Sequence, residues 1–394
     1  MDRRERALVG YVTAAHALNH AYILIIPLFL TTWIVEFSSD LRVLGLVAAV
    51  AYALYGGGSV LFGYLADRMG SKPLISLYLA GAVVALLLVA LAQTLLQLTL
   101  ALALLGLFLS PHHPAGTAMI TREVRQQGRG FGYHGMGGSI GVALGPFVAA
   151  LLLLSLEWRA VFALFVLPAL VVLVGMILLA PSEQAVRRPT SLAEVKSVFL
   201  TTGFFLVFMV YVFAGIAYWG ALTFLPAYLD SLGLPPLAVS GRDLTAGLYL
   251  FPAILALGAA GQVAGGFLAD RPKVEVTLAG ASILVGVLLL LLALPAAAAV
   301  VGVAFLFGFL LFALEPLQNV LVARLAPPNL RGLAYGLVFL SVFGIGAIGA
   351  ALGGYIGSVA DLALIFPPLA LFMVASGGAV LLLLRGGHKA GVSA

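Results

Sequence analysis

The sequence predicts an all-α integral membrane protein, with twelve transmembrane helices in two pseudo-symmetric six-helix bundles. Three observations carry this expectation. The chain of 394 residues is 63% hydrophobic and only 9% charged, where a soluble domain carries about 25% charged residues. Its apolar runs are long and continuous, matching helices of about 20 residues that cross a bilayer, whereas a membrane barrel reads as short alternating strands. A small charged turn also recurs, as GYLADRMGSK from Gly63 to Lys72 and as GFLADRPK from Gly266 to Lys273.

The spans are expected near 7–35, 43–66, 73–93, 97–120, 131–155 and 159–180, then near 199–229, 244–269, 274–294, 297–323, 332–357 and 362–384. The first apolar run continues to about Phe37 without a small-residue cleavage site, so it reads as a retained span rather than a removable leader. The longest polar segment, PSEQAVRRPTSLAEVKS, divides the chain into an N-terminal bundle (1–180), a cytoplasmic linker (181–198) and a C-terminal bundle (199–394). Orientation follows the positive-inside rule. With the N-terminus in the cytoplasm, all of the 20 Lys and Arg except Arg42, Arg159 and Arg242 fall on that side. The expected location is the cell (inner) membrane, with both termini cytoplasmic. The net charge of +5 is thereby a topology signal.

The two turns lie 203 residues apart, each after the second span of its half. RGFGYHG (Arg129–Gly135) and RGLAYGL (Arg331–Leu337) open the fifth spans, and His113-Pro114 and Glu315-Pro316 sit within the fourth, each pair 202 apart. Matches at nearly one offset indicate an internal duplication. An even number of spans per half gives both copies the same orientation, as in transporters built from parallel repeats.

The pattern G-x-L-A-D-R-x-G-x-K after span two resembles the signature loop of the major facilitator superfamily, and the weaker copy after span eight fits it too. That resemblance covers the whole chain and implies the major facilitator fold, two bundles rocking about a central cavity. SPHHPAGTAMI, GYHGMGGSIGVALGP and AHALNHAYILIIP are similar to segments of the fosmidomycin-resistance-like branch, which implies proton-coupled export. Gly141–Pro146 resembles the antiporter signature of drug exporters, but Ala149 and Ala150 replace its trailing glycines and span four lacks their arginine.

The loop's physics suggests gating roles. Gly63 lets a neighbouring helix approach, and Asp67 can meet the positive N-terminal end of another helix. By the resemblance, that helix is span eleven near Gly332, and the contact stabilises the outward-facing state. Arg68 is expected to pair with Glu123, and Asp270 and Arg271 to act likewise against span five. Arg129, Arg331 and His134, at the starts of the fifth spans, complete the gating set.

Ionisable groups within a membrane default to functional hypotheses. Glu315 is the one acidic residue placed well inside a span, about 13 Å from Arg324 at the cytoplasmic end. Burial disfavours the charged form of a lone carboxylate, which suits Glu315 to carry a coupling proton, with His113 as its counterpart in the repeat. Gln318 and Asn319 share its helix face. His16, Asn19 and His20 mark an equivalent wet face on span one. His112, Tyr211, Tyr218, Trp219 and Gln262 complete the expected substrate contacts, with aromatics offering stacking and cation–π contact. A packing role is the competing account of each.

The leading function is therefore a proton-coupled secondary transporter, moving a small organic solute outward by alternating access. The alternative is transport of a divalent metal ion or chelate, with His16, His20 and His113 as ligands. A bis-His haem enzyme leaves the duplicated Asp-Arg turns without a role; a sensor without transport is a further class. With no cysteine, thiolate chemistry is absent. No phosphate loop of the G-x-x-x-x-G-K-[ST] type occurs. No enzyme activity, cofactor or nucleic-acid partner is expected. The partners are a small molecule, protons and the lipid bilayer, and the chain is expected to act as a monomer.

Overall fold

The computed structural model describes residues 1–181, 196, 199–239, 241–269, 271–326 and 331–386. Most of the expected linker 181–198, and Asp270, therefore lie outside the described residues. Asp67 and Arg331 lie on helices, but their side chains are outside the description as well.

Among the described residues, twelve helical stretches are long and apolar enough to cross a membrane. Spans 1–6 are Arg3–Glu36, Leu41–Ala66, Ser71–Leu91, Leu95–Glu123, Arg129–Leu153 and Trp158–Leu178. Spans 7–12 are Thr202–Ser231, Ala246–Ala269, Val274–Leu292, Ala297–Leu325, Leu333–Val359 and Leu362–Arg385. A two-stranded antiparallel hairpin, β1 (Leu237–Val239) and β2 (Arg242–Leu244), joins spans 7 and 8 and was not expected. The packing repeats between halves. Span 1 packs on 5, 2 on 4 and 3 on 6, while 7 packs on 11, 8 on 10 and 9 on 12. The two sets meet where span 2 faces 11, span 5 faces 8 and span 1 faces 7.

Small residues set these contacts. A Cβ on Gly141 of span 5 would lie 2.0 Å from the Ala17 carbonyl oxygen of span 1. Between the sets, a Cβ on Gly56 would lie 1.9 Å from the Gly344 nitrogen. Such backbone approach gives helices their dispersion contact where lipid supplies no hydrophobic drive. Gly63 is different: its nearest neighbour would be Pro114 Cβ at an ordinary 3.5 Å. The expected close approach thus occurs at Gly56 instead.

Three of the spans that depart from a simple helix bear on the cavity. Span 1 is helical over Arg3–Leu24, tightens to a 3₁₀ turn at Ile26–Phe29 containing Pro27, then resumes over Leu30–Glu36. Span 4 breaks at Ser110–Pro111 and restarts at His112. Pro114 falls in the first turn of the new helix, where its missing N–H is not needed. Span 11 contains a π-helical stretch, Leu340–Ile345. Span 10, by contrast, runs as one helix through Pro316, so the two prolines do not interrupt their helices alike.

Candidate functional site

The break in span 4 frees carbonyls that membrane-embedded backbone must satisfy internally. Asn19 Nδ2 donates to the Leu109 carbonyl at 2.8 Å, and Ser59 Oγ to that of Ser110 at 3.4 Å. Tyr55 donates its hydroxyl proton to Asn19 Oδ1 at 2.6 Å and also lies 2.7 Å from His113 Nε2. An amide oxygen only accepts and a tyrosine hydroxyl carries one proton. His113 Nε2–H is therefore the donor to Tyr55, which leaves the lone pair of the neutral ring on Nδ1. Asn19 is fully buried. It secures the broken helix and does not line the cavity, contrary to the expected substrate contact.

Five histidines gather around this break. His16 stacks on His134 with ring centroids 4.0 Å apart, and its Nδ1 bonds the His134 carbonyl at 2.7 Å. His16 Nε2 and His20 Nε2 are 3.1 Å apart. His112 lies 5.0 Å from His16 and 5.4 Å from His134, centroid to centroid, with both ring nitrogens buried and without a partner among the described residues. His134 was expected at a gate and His112 at the solute. Both instead lie buried behind His16, because the Gly137/Gly138 contact draws span 5 against Thr13 and His16 of span 1.

A central cavity lies between the two sets of spans. Its wall includes His16, His20 and His113 from one set, and Tyr211, Tyr218, Gln262, Glu315, Gln318 and Asn319 from the other. Nine of the sequence-predicted residues are thus brought together. Phe312, Phe339 and Phe343 complete an aromatic lining, the last two stacking on His113 with centroids at 4.5 and 5.6 Å. About 80 Å³ of the cavity admits the centres of water molecules, room for several waters. Trp219 is absent from the wall. It is fully buried and stacked on Tyr52 of span 2, centroids 3.7 Å apart, where it packs the two sets together.

Glu315 is the only carboxylate on the described wall, which holds no Lys or Arg. The residue is exposed although it lies mid-span, and the cavity provides that exposure. Gln262 Nε2 donates to its carboxylate at 2.8 Å, and Ser139 Oγ of span 5 donates to Gln262 Oε1. This chain joins Glu315 to the opposite set of spans. Ser139 escaped the sequence reading because a serine in a glycine-rich helix gives no signal by itself. On the other side of Glu315's face, Tyr211 donates to Asn319 Oδ1 at 3.0 Å.

The expected gating pairs fare differently. Glu123 is buried and bonds Arg4 at 2.5 Å, while exposed Arg68 lies over the Tyr64 ring at 4.3 Å. Arg68 does not pair with Glu123, because the N-terminal segment takes that carboxylate first. Glu5 accepts from the Arg125 backbone and the N-terminal amine donates to Gln126, fixing the segment there. Arg129 is exposed and bonds Gln126 at 3.2 Å, and Arg271 is exposed.

The family model described as Major Facilitator Superfamily matches residues 12–351. The chain belongs to that superfamily. Membership places it among transporters rather than enzymes. It is 32% identical over 155 residues to a probable 4-methylmuconolactone transporter of Cupriavidus pinatubonensis, covering 38% of this chain and 35% of that protein. It is 26% identical over 249 residues to a probable L-galactonate transporter of Escherichia coli, covering 58% and 53%. Multidrug resistance protein MdtG of Enterobacter lignolyticus is 34% identical over 120 residues, or 30% of this chain and 28% of that one. The matches thus span between about a quarter and about half of these relatives' lengths. In fold, the chain is similar to a bacterial homolog of the human lysosomal transporter Spinster in an inward-facing, occupied conformation, with a TM-score of 0.75, 15% identity and 98% of both chains covered. A POT family transporter in complex with 5-aminolevulinic acid gives a TM-score of 0.77 at 15% identity, covering 98% of this chain and 96% of that one.

Proposed function

We propose that this superfamily member is a proton-coupled exporter of a small organic solute, with Glu315 as the group that carries the proton. The observation that carries the reading is the bond chain Glu315–Gln262–Ser139 across the cavity. A hydrogen bond to an ionised carboxylate is about twice as strong as one to a neutral group. Taking up a proton at Glu315 therefore weakens Gln262's hold and loosens the link between spans 8 and 5. A solute that needs the carboxylate competes with the proton for it, and that competition is what exchange requires.

The lining favours neutral or cationic aromatic solutes. Tyr211, Tyr218 and three phenylalanines offer ring faces, Gln318 Nε2 is a buried donor without a partner among the described residues, and no Lys or Arg waits for an anion. A sugar acid such as the one in a relative's name would lack a cationic partner there. The likeness of spans 1, 4 and 5 to the fosmidomycin-resistance-like branch brings phosphonates into the test, although these anions too would lack a cationic partner there. The Lys and Arg distribution supports an inner-membrane location with both termini cytoplasmic. We take the working unit as a monomer of two bundles, 1–180 and 199–394, joined by 181–198.

The test is flux into proteoliposomes under an imposed pH gradient, with drug cations, phosphonates and sugar acids as solutes. The expected result is gradient-driven movement of at least one aromatic cation, and loss of the gradient's effect in Glu315→Gln. Undiminished gradient-driven flux in that variant would remove Glu315 from the coupling step.

A further inference from the structure

We infer that His16, His20 and His113 form a binding site for one divalent transition-metal ion on the cavity wall. The inference stands on the geometry of spans 1 and 4 and does not need the transport reading. One ring nitrogen from each residue lies within 4.8 Å of the others. His16 and His113 are buried, His20 is half-buried, and all three line the cavity.

Two features make the cluster more than a packing of imidazoles. First, its rings are held from behind. His16 Nδ1 bonds the His134 carbonyl at 2.7 Å, so that nitrogen carries the proton and Nε2 carries the lone pair. Tyr55 holds His113 Nε2–H in the same way and leaves Nδ1 with the lone pair. Metal-ligating histidines characteristically donate their second N–H to such a partner. The His16 and His20 Nε2 atoms are already 3.1 Å apart. The edge of a tetrahedral site with zinc–nitrogen bonds of about 2.0–2.1 Å is about 3.3 Å. Binding requires that His20 move its proton to Nδ1 and that His113 close from within 4.8 Å to that spacing.

Second, the ring planes distinguish this triad from its neighbour. His16, His112 and His134 also bring nitrogens within 4.8 Å. Their rings, however, stack at interplanar angles of 15°, 24° and 31°. Imidazole lone pairs lie in the ring plane, so stacked rings send them along parallel lines that do not meet. In the cavity triad the planes cross at 53°, 87° and 66°, which lets three lone pairs converge. The cavity side stays open to water, as in zinc sites with three protein ligands and an exchangeable fourth position. Three neutral imidazoles suit zinc, copper, nickel or cobalt rather than magnesium or calcium.

The test uses full-length, untagged protein in detergent, titrated with Zn²⁺ and with Co²⁺. The expected result is saturation at one ion per chain and, for Co²⁺, the intense visible bands of a tetrahedral nitrogen site. His20→Ala and His113→Ala should each weaken binding more than about tenfold, the loss that even an outer-shell partner can cause, while His112→Ala leaves it unchanged. Thermal unfolding without metal checks that each variant folds. If His113→Ala does not fold, half-buried His20→Ala decides alone. Absence of saturable binding to the native protein overturns the inference. So does binding that survives His20→Ala or that is lost with His112 instead.

Discussion

Two carboxylates show how a residue's surroundings decide its role. Glu315 faces the cavity and accepts a single bond from Gln262, so it can exchange its partner. Glu123 is buried against Arg4, so it cannot. Glu123→Gln should lower the unfolding temperature of the purified protein without altering the response of flux to pH, whereas Glu315→Gln should do the reverse. Ser139→Ala removes the far end of the bond chain and keeps the carboxylate; its flux should fall several-fold and its pH response should flatten, though less than in Glu315→Gln. Trp219→Ala should cost on the order of 3–5 kcal/mol of stability, because its ring is stacked on Tyr52 in full burial. Tyr218→Ala should weaken solute affinity and leave unfolding nearly unchanged. The residues the sequence exposed best were those whose chemistry is rare in apolar helices: Glu315, Gln262 and the histidines. Residues of common type stayed hidden until the fold placed them, as Ser139 and Tyr55 show, and the neighbouring Tyr218 and Trp219 could not be told apart because they differ only in helix face.

At the scale of elements, the site exists because span 4 is broken. The break turns His112 and His113 toward span 1; Asn19 and Ser59 satisfy the carbonyls it leaves open, and Tyr55 holds Asn19 in place. Asn19→Leu should therefore destabilise the fold by about 1–3 kcal/mol, the cost of leaving a buried polar group unpaired, measurable as a lower unfolding temperature. Twelve spans were legible from hydropathy because a bilayer forces long apolar helices. The position of the break was not, since Pro111, Pro114 and Pro316 all look alike in sequence and only Pro111 lies where the helix stops. The π-helical stretch of span 11, which carries Val342 and Phe343 to the cavity, likewise left no mark in the sequence; it lies where Gly344 meets Gly56 of span 2. Gly141→Leu should prevent spans 1 and 5 from meeting and greatly reduce the yield of folded protein in a size-exclusion assay.

For the whole molecule, the duplication read from the Asp-Arg turns corresponds to a repeated scheme of span packing. What lay beyond the sequence was which surfaces the halves share. On the face away from the termini, Gly45 would carry its Cβ within 2.9 Å of Gly354, and the Arg42 guanidinium lies over the Tyr355 ring at 5.5 Å. If solute crosses by one bundle rocking against the other, this face must part in every cycle. The chain has no cysteine of its own, so thiols placed by Arg42→Cys and Tyr355→Cys can be bridged without competing sites. The most direct measurement is solute flux through that double variant in proteoliposomes, before and after bridging with a short, reducible bifunctional thiol reagent. The account predicts that flux stops on bridging and returns on reduction, with each single variant unaffected; full flux through the bridged protein would contradict it.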